Sequence, residues 1–177
     1  AETSVAVIPN QWYAILESGE VERGEPVGVT RLGEKLVLWR DRAGQVGCLR
    51  DLCAHRGAAL SRGKVRGDHV QCPFHGFRYD ASGQCALIPA NGTTAGIPLG
   101  YAVGSYPMRE AHGFIWVWWG VPQPELPPLP YFDDLATGGF AWATCRDRWR
   151  VHYSRAIENQ LDVIHLPFVH HNTIGRG

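Results

Sequence analysis

The chain has 177 residues, with 17 basic and 17 acidic side chains, so its formal net charge is zero and it lacks the basic stripe that nucleic acid would require. That length suits one domain or one and a half, no apolar run is long enough for a membrane span, and the first residues carry no signal-peptide pattern. The five cysteines are an odd set; with three of them read as buried thiols, the chain is expected in a reducing, cytoplasmic setting.

In chain order, Ile8 to Leu16 reads as an irregular or short helical lead, with Trp12 and Tyr13 packing it onto the core, and residues 1–25 are expected to be an N-terminal lead packing on the catalytic part. From Pro26 to Arg50 the pattern is strand-like. Glu34–Arg40 follows a turn at Gly33, and Arg42-Ala43-Gly44 marks a hairpin turn before Val46–Leu49.

Two short metal-ligand sequences come next, Cys53-Ala-His55 and Cys72-Pro-Phe-His75, with sixteen residues between His55 and Cys72. Two thiolates and two imidazoles on two short loops can hold a [2Fe–2S] cluster, the cysteines on one iron and the histidines on the other. Gly57 and Gly76 lie one or two residues beyond each histidine, where the backbone can approach a cluster and donate N–H groups to its sulfurs. A structural zinc site also uses two cysteines and two histidines, but zinc fingers place both cysteines first, whereas here each half supplies one of each. Strands around 65–71 and 77–80 bracket the second loop, and Asp80-Ala81-Ser82-Gly83 is a turn.

Gly113–Trp119 is almost wholly apolar and reads as a buried central strand, its three tryptophans packing the core. Val121 to Pro130 contains five prolines and reads as a stiff extended crossover. Phe140–Thr144 reads as the first strand of a second domain, and Tyr153 to Leu166 as a helix on which Ala156, Asn159, Asp162 and His165 share a wall. Pro167 ends or kinks that helix, letting His170 fold back toward His165. Two imidazoles suit a non-heme Fe(II) centre when a carboxylate completes the set; a helix end merely capped by surface histidines is the plainer reading. His69, His112 and His152 are read as structural or surface residues.

The segments CAHRG at 53–57 and CPFHGFRYDASGQC at 72–85, with Pro89, resemble the Rieske domain of the aromatic-ring-hydroxylating oxygenases. Respiratory Rieske proteins carry an extra cysteine in each loop, joined as a disulfide. Ala58 and Phe74 stand near those places here, so the resemblance implies the oxygenase or soluble-ferredoxin branch, with a potential in the lower part of the roughly −150 to +300 mV Rieske span. Asn159, Asp162, His165 and His170 are similar to the mononuclear-iron motif of the same family.

The resemblance implies that Cys53, His55, Cys72 and His75 hold the cluster. It implies His165 and His170 as iron ligands, Asp162 as the carboxylate that links the iron site to a neighbouring subunit's cluster, Asn159 as a residue close to the iron, and His171 as a packing residue. Arg56 would tune the cluster or meet a donor. The family's third iron ligand, an Asp or Glu, lies far downstream and has no match in this chain, which is therefore expected to be the N-terminal part of a longer protein or to have a partner chain.

The fold class implied is mainly β: a small antiparallel Rieske domain at 26–121, a proline-rich crossover at 122–138, and at 139–177 the start of an α+β mononuclear-iron catalytic domain. The implied protein is a terminal oxygenase that hydroxylates or demethylates a small organic substrate with O2. It would take electrons from a reductase or ferredoxin and work as a homotrimer. A Rieske ferredoxin-like electron carrier is the alternative, since the first 120 residues would suffice for it.

Overall fold

The computed structural model describes residues 7–92, 95–132, 134, 137, 139, 141, 143 and 145–175. The chain divides into two compact units, Ala1–Ala136 and Thr137–Gly177.

The first unit is built from β1 (Gln11–Glu17), β2 (Val27–Arg31), β3 (Glu34–Arg40), β4 (Val46–Arg50), β5 (Lys64–Arg66), β6 (His69–Gln71), β7 (Arg78–Tyr79), β8 (Cys85–Leu87), β9 (Met108–Ala111) and β10 (Phe114–Trp119). Their ladders are antiparallel and make three sheets, ordered β1-β10-β9, β2-β3-β4 and β5-β6-β7-β8.

The middle sheet separates two cores. Leu36 to Trp39 in β3 are all fully buried, and strand alternation sends them to opposite sides. Val37 and Trp39 join Leu49, Leu60, Val70, Phe77 and Tyr79 beneath the metal-ligand loops, whereas Leu36 and Leu38 join Ile15, Ile115 and Val117 between the sheets. Each such burial is worth roughly 1.5–3 kcal/mol, so β3 anchors both halves of the unit.

The N-terminal lead differs from expectation. Residues 11–17 form a strand rather than an irregular or helical segment, and they pair with β10 from Gln11↔Trp119 to Glu17↔Phe114. A register shift between Ala14 and Leu16 leaves both Ile15 and Leu16 buried, which breaks the alternation by which strands are read.

β10 is the central strand of its sheet, as its composition indicates. Its Trp116 and Trp118 pack with Trp12, and Leu126, Leu129 and Tyr131 of the proline-rich stretch lie against them. That stretch is short of N–H donors, so its carbonyls are what hold it: Trp12 Nε1 and Arg109 Nη1 each donate to Pro127 O at 2.8 Å. Arg109 also sits 4.7 Å over the Trp12 ring.

In the second unit, α1 runs Tyr153–Leu161 and α2 runs Leu166–Val169. The helix expected to reach Leu166 stops earlier. Asp162 leaves the helical conformation at its C-cap, and its Oδ1 accepts the Ile164 N–H at 2.9 Å, a side-chain turn that competes with the helical ladder. Pro167 therefore begins α2 rather than ending α1. Of the strand expected at 140–144, Phe140, Trp142 and Thr144 lie outside the described residues.

Candidate metal centre

The two ligand loops are closed in the same way. Cys53 N–H donates to Ala58 O at 2.9 Å and Gly57 N–H to Cys53 O at 2.9 Å; Cys72 N–H donates to Phe77 O at 2.8 Å and Gly76 N–H to Cys72 O at 3.2 Å. In both loops the cysteine is the pivot, and the glycine four residues on turns left-handed, with φ +71° at Gly57 and +74° at Gly76. A side chain would strain that conformation. The surrounding strands aim the loops: β4 ends at Arg50 just before the first, β6 runs directly into Cys72, and β7 leaves the second.

The cysteines lie at the base of the site, both buried. Tyr79 Oη is 3.2 Å from Cys53 Sγ. Burial, then the shared contact with Cys53, pushes the Tyr79 phenol far up, so it stays protonated and can serve as the donor to a thiolate. At Cys72, burial pushes the thiol up, opposed by the backbone N–H groups of Phe74 and His75, which point at its sulfur.

Above the sulfurs, the His55 and His75 rings meet edge to face at 4.6 Å. His55 is stacked on Phe77 at 4.9 Å and 11°. Desolvation, then the neighbouring His75 and Arg56, holds His55 below the usual imidazole range, favouring the neutral form that binds metal. His75 is exposed at the rim.

The residues fit a [2Fe–2S] cluster on an independent observation. His55 Nδ1 is buried without a hydrogen-bond partner. Such an atom costs about 1–3 kcal/mol, and a metal–nitrogen bond would satisfy it. Among the described residues no group of three or more His, Cys, Asp or Glu side chains is arranged to hold one metal ion. A cluster with two cysteines on one iron and two histidines on the other asks only a pair of protein ligands from each iron.

The roles of Tyr79 and Phe77 were not read from the sequence. The available signal was alternation in β7 and the residue before it, which turns Tyr79 and Phe77 inward beneath the loops.

In the second unit the structure brings His165 and His170 together, with ring centroids 5.4 Å apart. Asp162 Oδ2 lies 3.4 Å from His165 Nδ1. His171 is exposed, with its Nδ1 3.1 Å from Phe168 O. Asn159 is exposed on the last turn of α1 and joins neither histidine in any hydrogen bond among the described residues. The wall expected from Ala156 to His165 is broken where Asp162 leaves the helix.

The family model of the Rieske [2Fe-2S] domain matches residues 11–107. Chlorophyllide a oxygenase of Chlamydomonas reinhardtii is 37% identical over 170 residues, 95% of this chain and 25% of that protein. The crystal structure of dicamba monooxygenase is similar with a TM-score of 0.59 and 38% identity, covering 64% of this chain and 35% of that one. Pseudomonas putida CBB5 NdmA is similar with a TM-score of 0.70 and 27% identity, covering 93% of this chain and 51% of that one. The chain spans between a quarter and about half of the length of the curated relatives it matches.

Proposed function

This chain belongs to the Rieske-type non-heme iron oxygenase family, and from that we propose that it forms part of a terminal oxygenase of a multicomponent system, using O2 to hydroxylate or demethylate a small organic substrate. The observation that carries this reading is the presence in one chain of both the paired Cys–His loops and the His165–His170 pair at 5.4 Å. An electron carrier needs only the first.

The bound [2Fe–2S] cluster, on Cys53, Cys72, His55 and His75, would supply one-electron transfer. Under that reading Cys53 and Cys72 fix the buried side, Tyr79 holds its proton toward Cys53 Sγ, and Phe77 fixes the plane of His55. The exposed His75 forms the outlet. A mononuclear Fe(II) on His165 and His170 would supply O2 chemistry, with its third carboxylate outside this chain. Asp162 holds His165 by Nδ1 and so leaves Nε2 to face a metal, which also fixes the tautomer.

The donor is read as a reductase or ferredoxin, and a head-to-tail trimer would set one protomer's cluster beside its partner's iron. Division into 1–25, 26–121, 122–138 and 139–177 belongs to the same reading. Among the described residues no helix is long and apolar enough to cross a membrane. Of the three cysteines read as buried thiols, Cys48 is buried, but Cys85 is half-buried and Cys145 exposed; all five cysteines are free, which supports a reducing, cytoplasmic setting.

Metal analysis on the full reading-frame product tests the proposal. It should take up about three irons per chain, two in the cluster and one at the histidine pair. His165→Ala with His170→Ala should remove that last iron and O2-dependent turnover while sparing the cluster absorbance. Asp162→Ala should abolish turnover with both metals retained. A product that binds only the cluster, with the double variant unchanged in iron, supports the carrier instead.

A further inference from the structure

The outer face of the β5-β6-β7-β8 sheet carries a cationic surface that the cluster site does not use. The ladder sets Lys64 opposite Gln71 and Gln71 opposite Arg78, and Arg66 opposite His69. Directly opposed residues share a face. Val65, Val70 and Tyr79, the intervening positions, point into the core, so Lys64, Arg66, His69, Gln71 and Arg78 all point outward. Arg78 Nε donates to Gln71 Oε1 at 3.1 Å, bracing the centre of the face. At the hairpin tip the Arg42 guanidinium lies over Gly67.

Acids are few on this surface: Glu25 lines the groove beside Lys64 and Arg66 without an ion pair to either among the described residues. From Arg56 to Tyr79 the sequence holds five Arg or Lys and one acid, Asp68, and an Asp68 carboxylate oxygen is taken up by the Arg42 backbone N–H at 3.1 Å. Lys64 and Arg66 are exposed and make no ion pair among the described residues. The chain is neutral overall, so this excess is a local field rather than a general basicity.

The face is one residue from the cluster ligands, because Gln71 precedes Cys72. The histidine rim has different chemistry: Phe74 and Leu52 there are 62% and 48% exposed. Apolar rims suit lasting contacts, whereas transient electron-transfer contacts are small and polar.

We propose that the outer face of the β5-β6-β7-β8 sheet is the docking surface for an acidic one-electron carrier protein, leaving the histidine rim free as the electron outlet. This rests on the reading that Cys53, His55, Cys72 and His75 hold the cluster. The step balances simply: the reduced carrier loses one electron, the oxidised cluster gains it, and no bond or proton need move. Lys64 and Arg66 steer the encounter and hold the carrier beside β6.

The test uses the full chain with its cluster and, as probe, an acidic plant-type [2Fe–2S] ferredoxin. Flash-photoreduced ferredoxin should reduce the cluster at a rate that falls steeply with ionic strength. In Lys64→Glu with Arg66→Glu the low-salt rate should drop at least about tenfold, the range over which charge steering acts, and calorimetric affinity for oxidised ferredoxin should fall with it. Lys64→Arg should keep both. The midpoint potential and the rate with dithionite should not move.

Wild-type rate and affinity in the charge-reversed variant would overturn the proposal. So would a loss accompanied by a shifted potential, since the residues would then act on the cluster itself. Loss of self-association with ferredoxin binding intact would assign the face to a second copy and also overturn it. A wild-type chain that takes up no iron and sulfide would instead fail the cluster reading, and calorimetry would still decide the docking face.

Discussion

Gly57 and Gly76 hold the same place in their loops, four residues after each cysteine, and each donates its N–H back to that cysteine's carbonyl. At Gly76 an added Cβ would also meet Pro89 Cγ at 3.0 Å. Gly76→Ala should therefore destabilise the domain by about 1–2 kcal/mol, the cost of a left-handed conformation with a side chain, with a matching fall in the urea midpoint; an unchanged midpoint would show that the loop adapts freely. Tyr79 is fully buried with its hydroxyl against Cys53 Sγ. Donation to a cluster cysteine favours the reduced, more negative state, so Tyr79→Phe should lower the cluster potential in voltammetry while iron and sulfide content stay the same. The four loop ligands were legible because short spacings of chemically distinctive residues survive any detail of the fold. Tyr79 and Phe77 were legible as part of the segment that carries the resemblance but not in their roles, because those depend on how β7 and the second loop stack beneath the first, a long-range fact.

Among the elements, Arg40 joins two sheets. From β3 it makes a two-pronged ion pair with Glu110 on β9, at 2.7 and 2.8 Å, and it donates to the carbonyls of Val21, Gly44 and Ser18. The hydrogen bond from Arg40 holds the Glu110 carboxyl below its ordinary value of 4.5, against the opposing effect of desolvation. A depressed folded pKa means that the stabilisation is complete above the unfolded value and is lost as pH falls through the folded one. Glu110→Gln should thus cost about 1 kcal/mol near neutral pH, a modest figure because solvent screens a partly exposed carboxylate, and the cost should vanish in strong acid. Equal urea midpoints for variant and wild type at neutral pH would contradict the staple. The strands Glu34–Arg40 and Val46–Leu49 were readable because runs of β-forming residues are bounded by turn residues at Gly33 and Arg42-Ala43-Gly44. β1 was not, since the bulge at Ala14–Leu16 buries two successive residues and defeats the period of two. The early end of α1 escaped because the Asp162 side chain, not Pro167, competes for the backbone.

At the scale of the first unit, two of its buried clusters share one middle sheet, and the cluster loops sit on one of them. This explains why a neutral, ordinary composition gave no clue to the site while a few spaced residues gave a clear one. The charge balance hid a local feature as well, the cationic outer face beside the second loop, which emerges only when strand register places Lys64, Arg66 and Arg78 together. The central claim is that the two loops hold a [2Fe–2S] cluster with mixed sulfur and nitrogen ligation. Pulsed EPR of the reduced chain, reconstituted with iron and sulfide, tests it most directly. The reduced chain should give a [2Fe–2S] signal with nitrogen couplings from two histidines, weakened to one in His55→Ala or His75→Ala. A signal without nitrogen coupling, or a chain that binds zinc and takes up no sulfide, would contradict it.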